Sequence, residues 1–544
     1  MGSLLLKNGR IVDGTGKPPY DGHLLVNGDK IAAIFKAGES IPPSDTVMDA
    51  SGKIVCPGFI DMHSHSDWAL PHDDHDIPLK CLPEQGVTTI VGGNCGFSPA
   101  PFTEKSRQLM AGEHFNLLID KPLAFGWQTF GEFLDHLEKT RPIVNSAHLV
   151  GHASIRFAAA DTRRGALPGN ERARCQDLLQ KALEAGACGM SFGLGYDPGM
   201  YSPLSELEDF CQAAKAAEKP VTVHLKALSR ISPTYSPLYL KAHNIRALRE
   251  MLEIARKTRI RLQISHLIFV GRRSWSTAEK SLKMIEAENR RGLDVMFDAF
   301  PYTFGNTTIN AIFPYWFLSR LPAAYDSPWA RARLRAELAL GFRLVGFSFS
   351  DLQLMDAGAQ EWADLNGMRV DELARHWRLS PFDAILKLSE VTGGNAVMLL
   401  HTYSGEPGNE TVLDRVLTHE ACLFETDALY RYGGYPNPAA KGAFPKLLGD
   451  YVRTRGLMSI ETAVKRMTSA SAARFNIKDR GVLEKGKAAD MVVLDPDTVN
   501  ESPPLDRNPA GRPRGICHVW INGTQVVRGG CYIDGVRAGQ VLRC

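Results

Sequence analysis

The chain lacks several features that would place it in other protein classes. No run of 18 apolar residues occurs in its 544 residues, and the apolar run near its start, "LLL" at residues 4–6, falls far short of a signal-peptide core. No membrane span or export is therefore expected, and the setting expected is cytoplasmic. Ten cysteines are present but no Cys-x-x-Cys pair, so they read as reduced thiols and not as a disulfide framework. Charge of one sign is also missing: 63 basic residues face 60 acidic ones, a net of +3, which gives no electrostatic case for a nucleic-acid partner. "GTGKPP" and "GLGYDPG" do not have the spacing of a phosphate loop or a dinucleotide fingerprint, and both read as turns.

What is present is an ordinary globular composition, 44% hydrophobic and 23% charged, in a chain too long for one small domain. Both ends are rich in short β-type runs split by Asn-Gly, Asp-Gly and Pro-Pro, as in "LLLKNGRIVDGTGKPPYDGHLLVNGDKIAAIF" and "HVWINGTQVVRGGCYID". They predict a small β-sandwich built from residues 1–57 and 481–544. Between them, "GFIDMHSHSD", "GVTTIVGGNC", "VNSAHLVGHAS", "GACGMSFGLGYD", "KPVTVHLK", "IRLQISHL", "LDVMFDAFPY" and "ACLFETDAL" supply eight strands alternating with helical stretches. That is the count of a (β/α)8 TIM-type barrel, expected over residues 58–480, an α/β fold. The long section 301–420 between strands seven and eight predicts an inserted, lid-like subdomain.

The chemistry-bearing residues fall at the carboxyl ends of these strands, where such barrels carry their sites. Side chains alternate along a strand, so His63 and His65 point the same way. They close strand one, Cys95 strand two, His224 strand five, His266 strand six and Asp427 strand eight. Six metal-type donors, each ending a strand, point to a metal centre.

In order along nearly the whole chain, "PGFIDMHSHSD", "GVTTIVGGNCGFSPAP", "VGHASIR", "GMSFGLGYDPGMYS", "ISHL", "DAFPY", "TDAL" and "GVLEKGKAADMVVLDPDTV" resemble the amidohydrolase superfamily, and within it the N-acyl-D-amino-acid deacylases. The resemblance implies a tightly held zinc on Cys95, His224 and His266, a weaker second site on His63, His65 and Asp427, and hydrolysis of a linear amide. Asp427 would be the general base, and Tyr196, after strand four, could donate to the oxyanion. Many relatives bridge two metals with a carboxylated lysine on strand four. "GMSFGLGYD" offers none, and Cys95 stands in for it. His152 is expected behind the site and not as a ligand.

The chain departs from the family where the substrate carboxylate is held. Strand six reads "HLI" and strand seven "DAFPY", so Ile268 removes a cation and Phe300 a hydroxyl. Lys226, or Arg230, is left as the anchor, and Phe269 and Phe304 are expected near the mouth. Lys226, Ile268, Phe300, Tyr302 and Tyr196 are the candidate substrate contacts. An apolar pocket predicts a small-molecule amide with a bulky apolar part. Hydrolysis of cyclic amides and a non-catalytic assembly role on the same fold remain alternatives, and a homo-oligomer is left open.

Overall fold

The computed structural model describes residues 2–110, 117–118, 120–124, 126–236, 239, 241–435, 437–502 and 511–544. Eight short parallel strands form the central barrel in chain order: Phe59–Asp61, Val87–Gly92, Asn145–His148 continued by Val150–Gly151, Met190–Gly193, Val221–His224, Leu262–Ile264, Val295–Ala299 and Cys422–Phe424. Nearly all their side chains are buried, as expected of parallel strands covered on both faces. The hydrogen-bonded path breaks once within strand three, at Leu149. The eighth strand meets the first through polar contacts. Asp427 N–H donates to the His63 carbonyl at 3.0 Å, and Thr426 Oγ1 donates to Asp61 at 2.7 Å.

The helices covering the barrel follow from local sequence. In Phe130–Thr140, Thr129 Oγ1 accepts from Glu132 N–H at 3.2 Å while the Glu132 carboxylate accepts from Thr129 N–H at 2.9 Å, a reciprocal cap. Phe130, Phe133, Leu134 and Leu137 then fall on one buried stripe at helical spacing.

Strands from both chain ends share one nine-stranded sheet. Ser3–Ile11 pairs antiparallel with Tyr20–Asn27 and parallel with both Thr46–Asp49 and Ile54–Pro57, and Ile54–Pro57 continues the sheet to Met491–Leu494, Ile516–Ile521 and Thr524–Arg528. Leu6, Leu24, Val55, Met491, Val493 and Trp520 pack into a cluster of their own beneath it. Between the seventh and eighth barrel strands, Phe304–Thr308, Val397–His401 and Leu352–Asp356 form a separate antiparallel sheet, with its own core of Ile309, Phe317, Leu334, Leu373 and Ile385.

The expectation that every cysteine is a reduced thiol is overturned at one pair. Cys188 and Cys544 form a disulfide across 356 residues, while the other eight cysteines are free. Cys188 precedes strand four, and Cys544 follows a short strand, Val541–Leu542, that pairs parallel with Ser146 and Ala147 of strand three. The tail strand lies where strand four has not yet joined strand three. Local spacing carries no signal of such a pairing. Among the described residues no helix is long and apolar enough to cross a membrane.

Candidate active site

The barrel brings together at its carboxyl end the six donors that the sequence places at five strand ends. Cys95 Sγ lies 3.4 Å from His63 Nε2, 3.4 Å from His266 Nε2 and 3.8 Å from His224 Nδ1. His224 Nδ1 and His266 Nε2 are 2.8 Å apart. Asp427 Oδ1 is 3.4 Å from both His63 Nε2 and His65 Nε2. The two sets of three expected from the sequence are therefore neighbours, and His63 touches both.

The backbone is bent to achieve this. Cys95, His266 and Asp427 sit at φ of 53°, 31° and 46°, left-handed conformations that non-glycine residues seldom adopt. Such local strain persists where surrounding structure enforces it, and it clusters at functional sites. The turn residues of "GLGYDPG" make room for the donors. A side chain at Gly193 would strike the Cys95 carbonyl, and one at Gly195 would come within 2.8 Å of His224 Nε2.

Donor chemistry decides whether a metal fits. Ligands of a tetrahedral zinc at ordinary bond lengths stand about 3.3–3.6 Å apart. The Cys95 contacts to His63 and His266 fall at that spacing, while His224 stands outside it, 3.8 Å from Cys95 and 2.8 Å from His266. Burial would raise the Cys95 thiol, but the facing imidazoles of His63 and His266 outweigh it and bring the group well below its ordinary value, to the thiolate. A buried thiolate ringed by imidazoles is a donor set that zinc accepts, so the residues fit the ion.

The remaining side of His63 is also filled. Its Nδ1 lies 3.3 Å from Asp298 and 3.0 Å from Glu425, both wholly buried. Asp298 also accepts from His266 N–H at 2.6 Å and Gln263 Nε2 at 2.7 Å. Neither carboxyl was picked out from the sequence. Strand alternation offers no signal for Glu425, because strand eight ends at Phe424 and Asp427 turns at a φ of 46°. His152 lies apart from the cluster, its Nε2 2.9 Å from Glu206.

A cavity of about 880 Å³ opens over the donors. Tyr196, Lys226 and Ile268 line it. The Tyr196 hydroxyl is 3.1 Å from His224 Nδ1. Although 37% of this residue is open to the cavity, burial of the hydroxyl, followed by the charges of Cys95 and Asp427, pushes its ionisation well up, so it remains a donor. Phe300 and Tyr302 are placed differently: neither lines the cavity, and Tyr302 donates to Glu501 at 2.8 Å. Strand seven ends at Ala299, so the alternation that put both residues toward the pocket does not extend to them. Phe269, Phe304 and Arg230 are likewise absent from its walls. Apolar lining comes instead from Phe97, Phe157, Met200, Ile268, Val270 and Leu429, and a second cation, Arg164, joins Lys226.

A donor cluster at the mouth of a closed parallel barrel is the architecture of the metal-dependent hydrolases. The sequence pattern of the Amidohydrolase family matches residues 46–282 and 430–527. A D-aminoacylase of Alcaligenes xylosoxydans xylosoxydans is 30% identical over 540 residues, covering 99% of this chain and 97% of the relative. The solved N-acyl-D-glutamate deacylase from Bordetella bronchiseptica, complexed with zinc and a phosphonate mimic of the reaction's tetrahedral intermediate, is 30% identical, with a TM-score of 0.80 over 99% of both chains. A D-aminoacylase structure concerned with one-metal activation and second-metal attenuation of a binuclear centre is 28% identical, with a TM-score of 0.79 over 99% of both chains. The chain belongs to the amidohydrolase family, in its branch of N-acyl-D-amino-acid deacylases.

Proposed function

We propose that this protein is a zinc-dependent deacylase that hydrolyses the linear amide of an N-acyl-D-amino acid, or a related N-acyl compound, with a bulky apolar part. The observation that carries the reading is the convergence of Cys95, His224, His266 and His63 within 3.8 Å of the thiol, beside Asp427, at the floor of a large and mostly apolar cavity. Cys95, His224 and His266 would hold the tighter ion, and His63, His65 and Asp427 a weaker one. Zinc held there acidifies water to a pKa of about 7 and polarises a carbonyl.

The chain's own groups do the rest. Asp427, beside both imidazoles of the His-x-His pair, takes the proton of the attacking water and returns it to the departing amine. Tyr196 donates a hydrogen bond to the carbonyl oxygen as negative charge develops on it. The apolar walls exclude water and seat the acyl chain, and Lys226 supplies positive charge for an anionic end. Strand four, Met190–Gly193, carries no lysine to bridge two metals as hydrolases of cyclic amides do, which favours the linear-amide reading.

We assign the small β-sandwich to 1–57 and 481–544, the barrel to 58–480 and a lid-like insertion to 301–420. Cytoplasmic placement rests on the eight free cysteines, and the Cys188–Cys544 bond is the observation against it. Protein isolated with its thiols blocked at lysis decides that point. A homo-oligomer is kept as a reading for sedimentation to resolve.

The function is tested by zinc analysis of the purified protein and turnover of N-acyl-D- and N-acyl-L-amino acids from acetyl to long acyl chains, with Cys95→Ala as control. Bound zinc, fastest turnover of a long or aromatic acyl-D substrate and an inactive Cys95→Ala are expected. Full activity in Cys95→Ala would overturn the zinc assignment, and fastest turnover of the acetyl substrate would overturn the bulky-substrate reading.

A further inference from the structure

The "VGHASIR" motif adds nothing to the donor cluster, yet it ends in a wholly buried arginine. Arg156 Nη1 donates to Glu206 at 2.6 and 2.8 Å and to Ser202 Oγ at 2.9 Å, and Nη2 donates to the carbonyls of Arg163 and Gly165, each at 3.0 Å. Burying a guanidinium is costly unless it is paired and hydrogen-bonded. Here its bonds fix the backbone on both sides of one residue, Arg164, and tie that segment to the loop after strand four.

Arg164 itself is not buried: its side chain is 55% exposed and lines the cavity. Its Nε donates to Asp197 Oδ2 at 2.7 Å, its Nη2 lies 2.5 Å from the same oxygen, and the guanidinium carbon stands 5.1 Å from the centre of the Tyr201 ring. Nη1 has no hydrogen-bond partner among the described residues. Asp197 directly follows Tyr196, whose hydroxyl reaches His224 at 3.1 Å. An exposed Arg–Asp pair contributes little to fold stability. A fully buried arginine that clamps the carbonyls flanking such a pair is explained by the need to aim it.

We propose that Arg164, positioned by Arg156 and Asp197, binds the carboxylate of the substrate and takes over from the cation that Ile268 removes. The assignment rests on the deacylase reading. Lys226, the other cation on the cavity wall, is half-buried, with its ammonium 5.4 Å from the Tyr235 ring centre, and offers only a point charge. Arg164 offers a planar fork already oriented on its Nε side, so little ordering remains when a carboxylate binds. Arg156 touches no substrate in this scheme and acts as a positioning residue.

The test pairs N-octanoyl-D-methionine with its neutral carboxamide on the zinc-loaded enzyme, measuring binding by calorimetry and KM and kcat by steady-state kinetics. Wild type is expected to prefer the acid. Arg164→Gln should raise the dissociation constant and KM for the acid about 10- to 100-fold, as for loss of a charged hydrogen bond, while affecting the carboxamide little. Arg164→Lys should recover part of the loss. Equal losses on acid and carboxamide, or no loss on the acid, would overturn the assignment. Turnover of the acid reports separately on the deacylase reading: Arg164-dependent binding without turnover removes that reading and keeps Arg164, and turnover that ignores Arg164→Gln does the reverse. Neither binding nor turnover of the acid overturns both.

Discussion

Glu425 Oε2 lies 3.0 Å from His63 Nδ1, across the ring from the nitrogen that faces Cys95 and Asp427. Burial, and then the charge of neighbouring Asp298, hold the Glu425 carboxyl well above its ordinary range. The Asp298 carboxyl is lowered despite its burial, chiefly by its hydrogen bond with His63. Two buried carboxyls with opposite shifts thus orient the ring of a proposed metal ligand. Asp298 additionally accepts the backbone N–H of His266.

Outer carboxylates of this kind typically account for about 10- to 100-fold in metal affinity. Asp298→Asn is therefore expected to weaken zinc binding by about that factor, measured by competition with a chromogenic chelator. Glu425→Gln keeps a hydrogen-bonding group of the same shape where burial and Asp298 already disfavour a charge, and should change affinity less. A larger loss in Glu425→Gln than in Asp298→Asn would show that the roles of the two carboxyls are reversed.

Zinc binding should also be tied to pH. Against burial, which lowers all three, the charge of Glu425 raises His63, a hydrogen bond with Asp427 raises His65 to about 9, and the charge of Cys95 raises His266. The metal-free cluster therefore holds protons that a metal must displace, because only neutral imidazole coordinates. Apparent zinc affinity is expected to rise with pH through the neutral range toward about 9. Titration of zinc into the metal-free protein in weak buffer should release protons, and an affinity independent of pH from 6 to about 9 would exclude this coupling.

Two substitutions separate the chemical roles. Asp427→Asn removes the base and is expected to lower kcat by about 10²- to 10⁴-fold with the tighter zinc retained. Tyr196→Phe removes one donor to the developing oxyanion and should lower kcat by about 10²- to 10³-fold with KM little changed. A Tyr196→Phe enzyme impaired only in KM would make the tyrosine a substrate contact and not a stabiliser of the transition state.

The donor cluster was legible because strand alternation and barrel geometry carry strand-end residues to one mouth, whichever loops they stand on. His63, Cys95, His224, His266 and Asp427 each needed only a local reading of where a strand stops. The same rule did not reach Phe300 and Tyr302, since strand seven stops at Ala299 and the chain turns Tyr302 toward Glu501. Arg164 gave no periodic signal either, because its orientation comes from a buried guanidinium eight residues earlier that bonds to backbone carbonyls. Contacts made by irregular backbone have no sequence period to read.

The Cys188–Cys544 bond leads to the last prediction. The tail strand Val541–Leu542 has only two residues in its ladder, but several other contacts fasten it. Gln540 N–H donates to Asn145 Oδ1 at 3.0 Å, Cys544 N–H to the Gly186 carbonyl at 3.1 Å, and Arg543 pairs with Asp135 at 2.6 Å and Glu138 at 3.0 Å. The ion pairs are partly exposed and add little. The disulfide is the one covalent tie, and it closes most of the chain into a loop, restricting the unfolded state more than the folded one. Cys544→Ser is expected to lower unfolding stability by about 2–4 kcal/mol, read from the free energy extrapolated to zero denaturant, with a steeper slope because the released unfolded chain exposes more surface. Because the tail pairs at the amino end of strand three, away from the donor cluster at the carboxyl ends, kcat and zinc content should stay at wild-type values. A reductant should destabilise wild type and leave Cys544→Ser unmoved. If the two proteins unfold together in the absence of reductant, the bond contributes nothing to stability and the hydrogen bonds of the tail suffice.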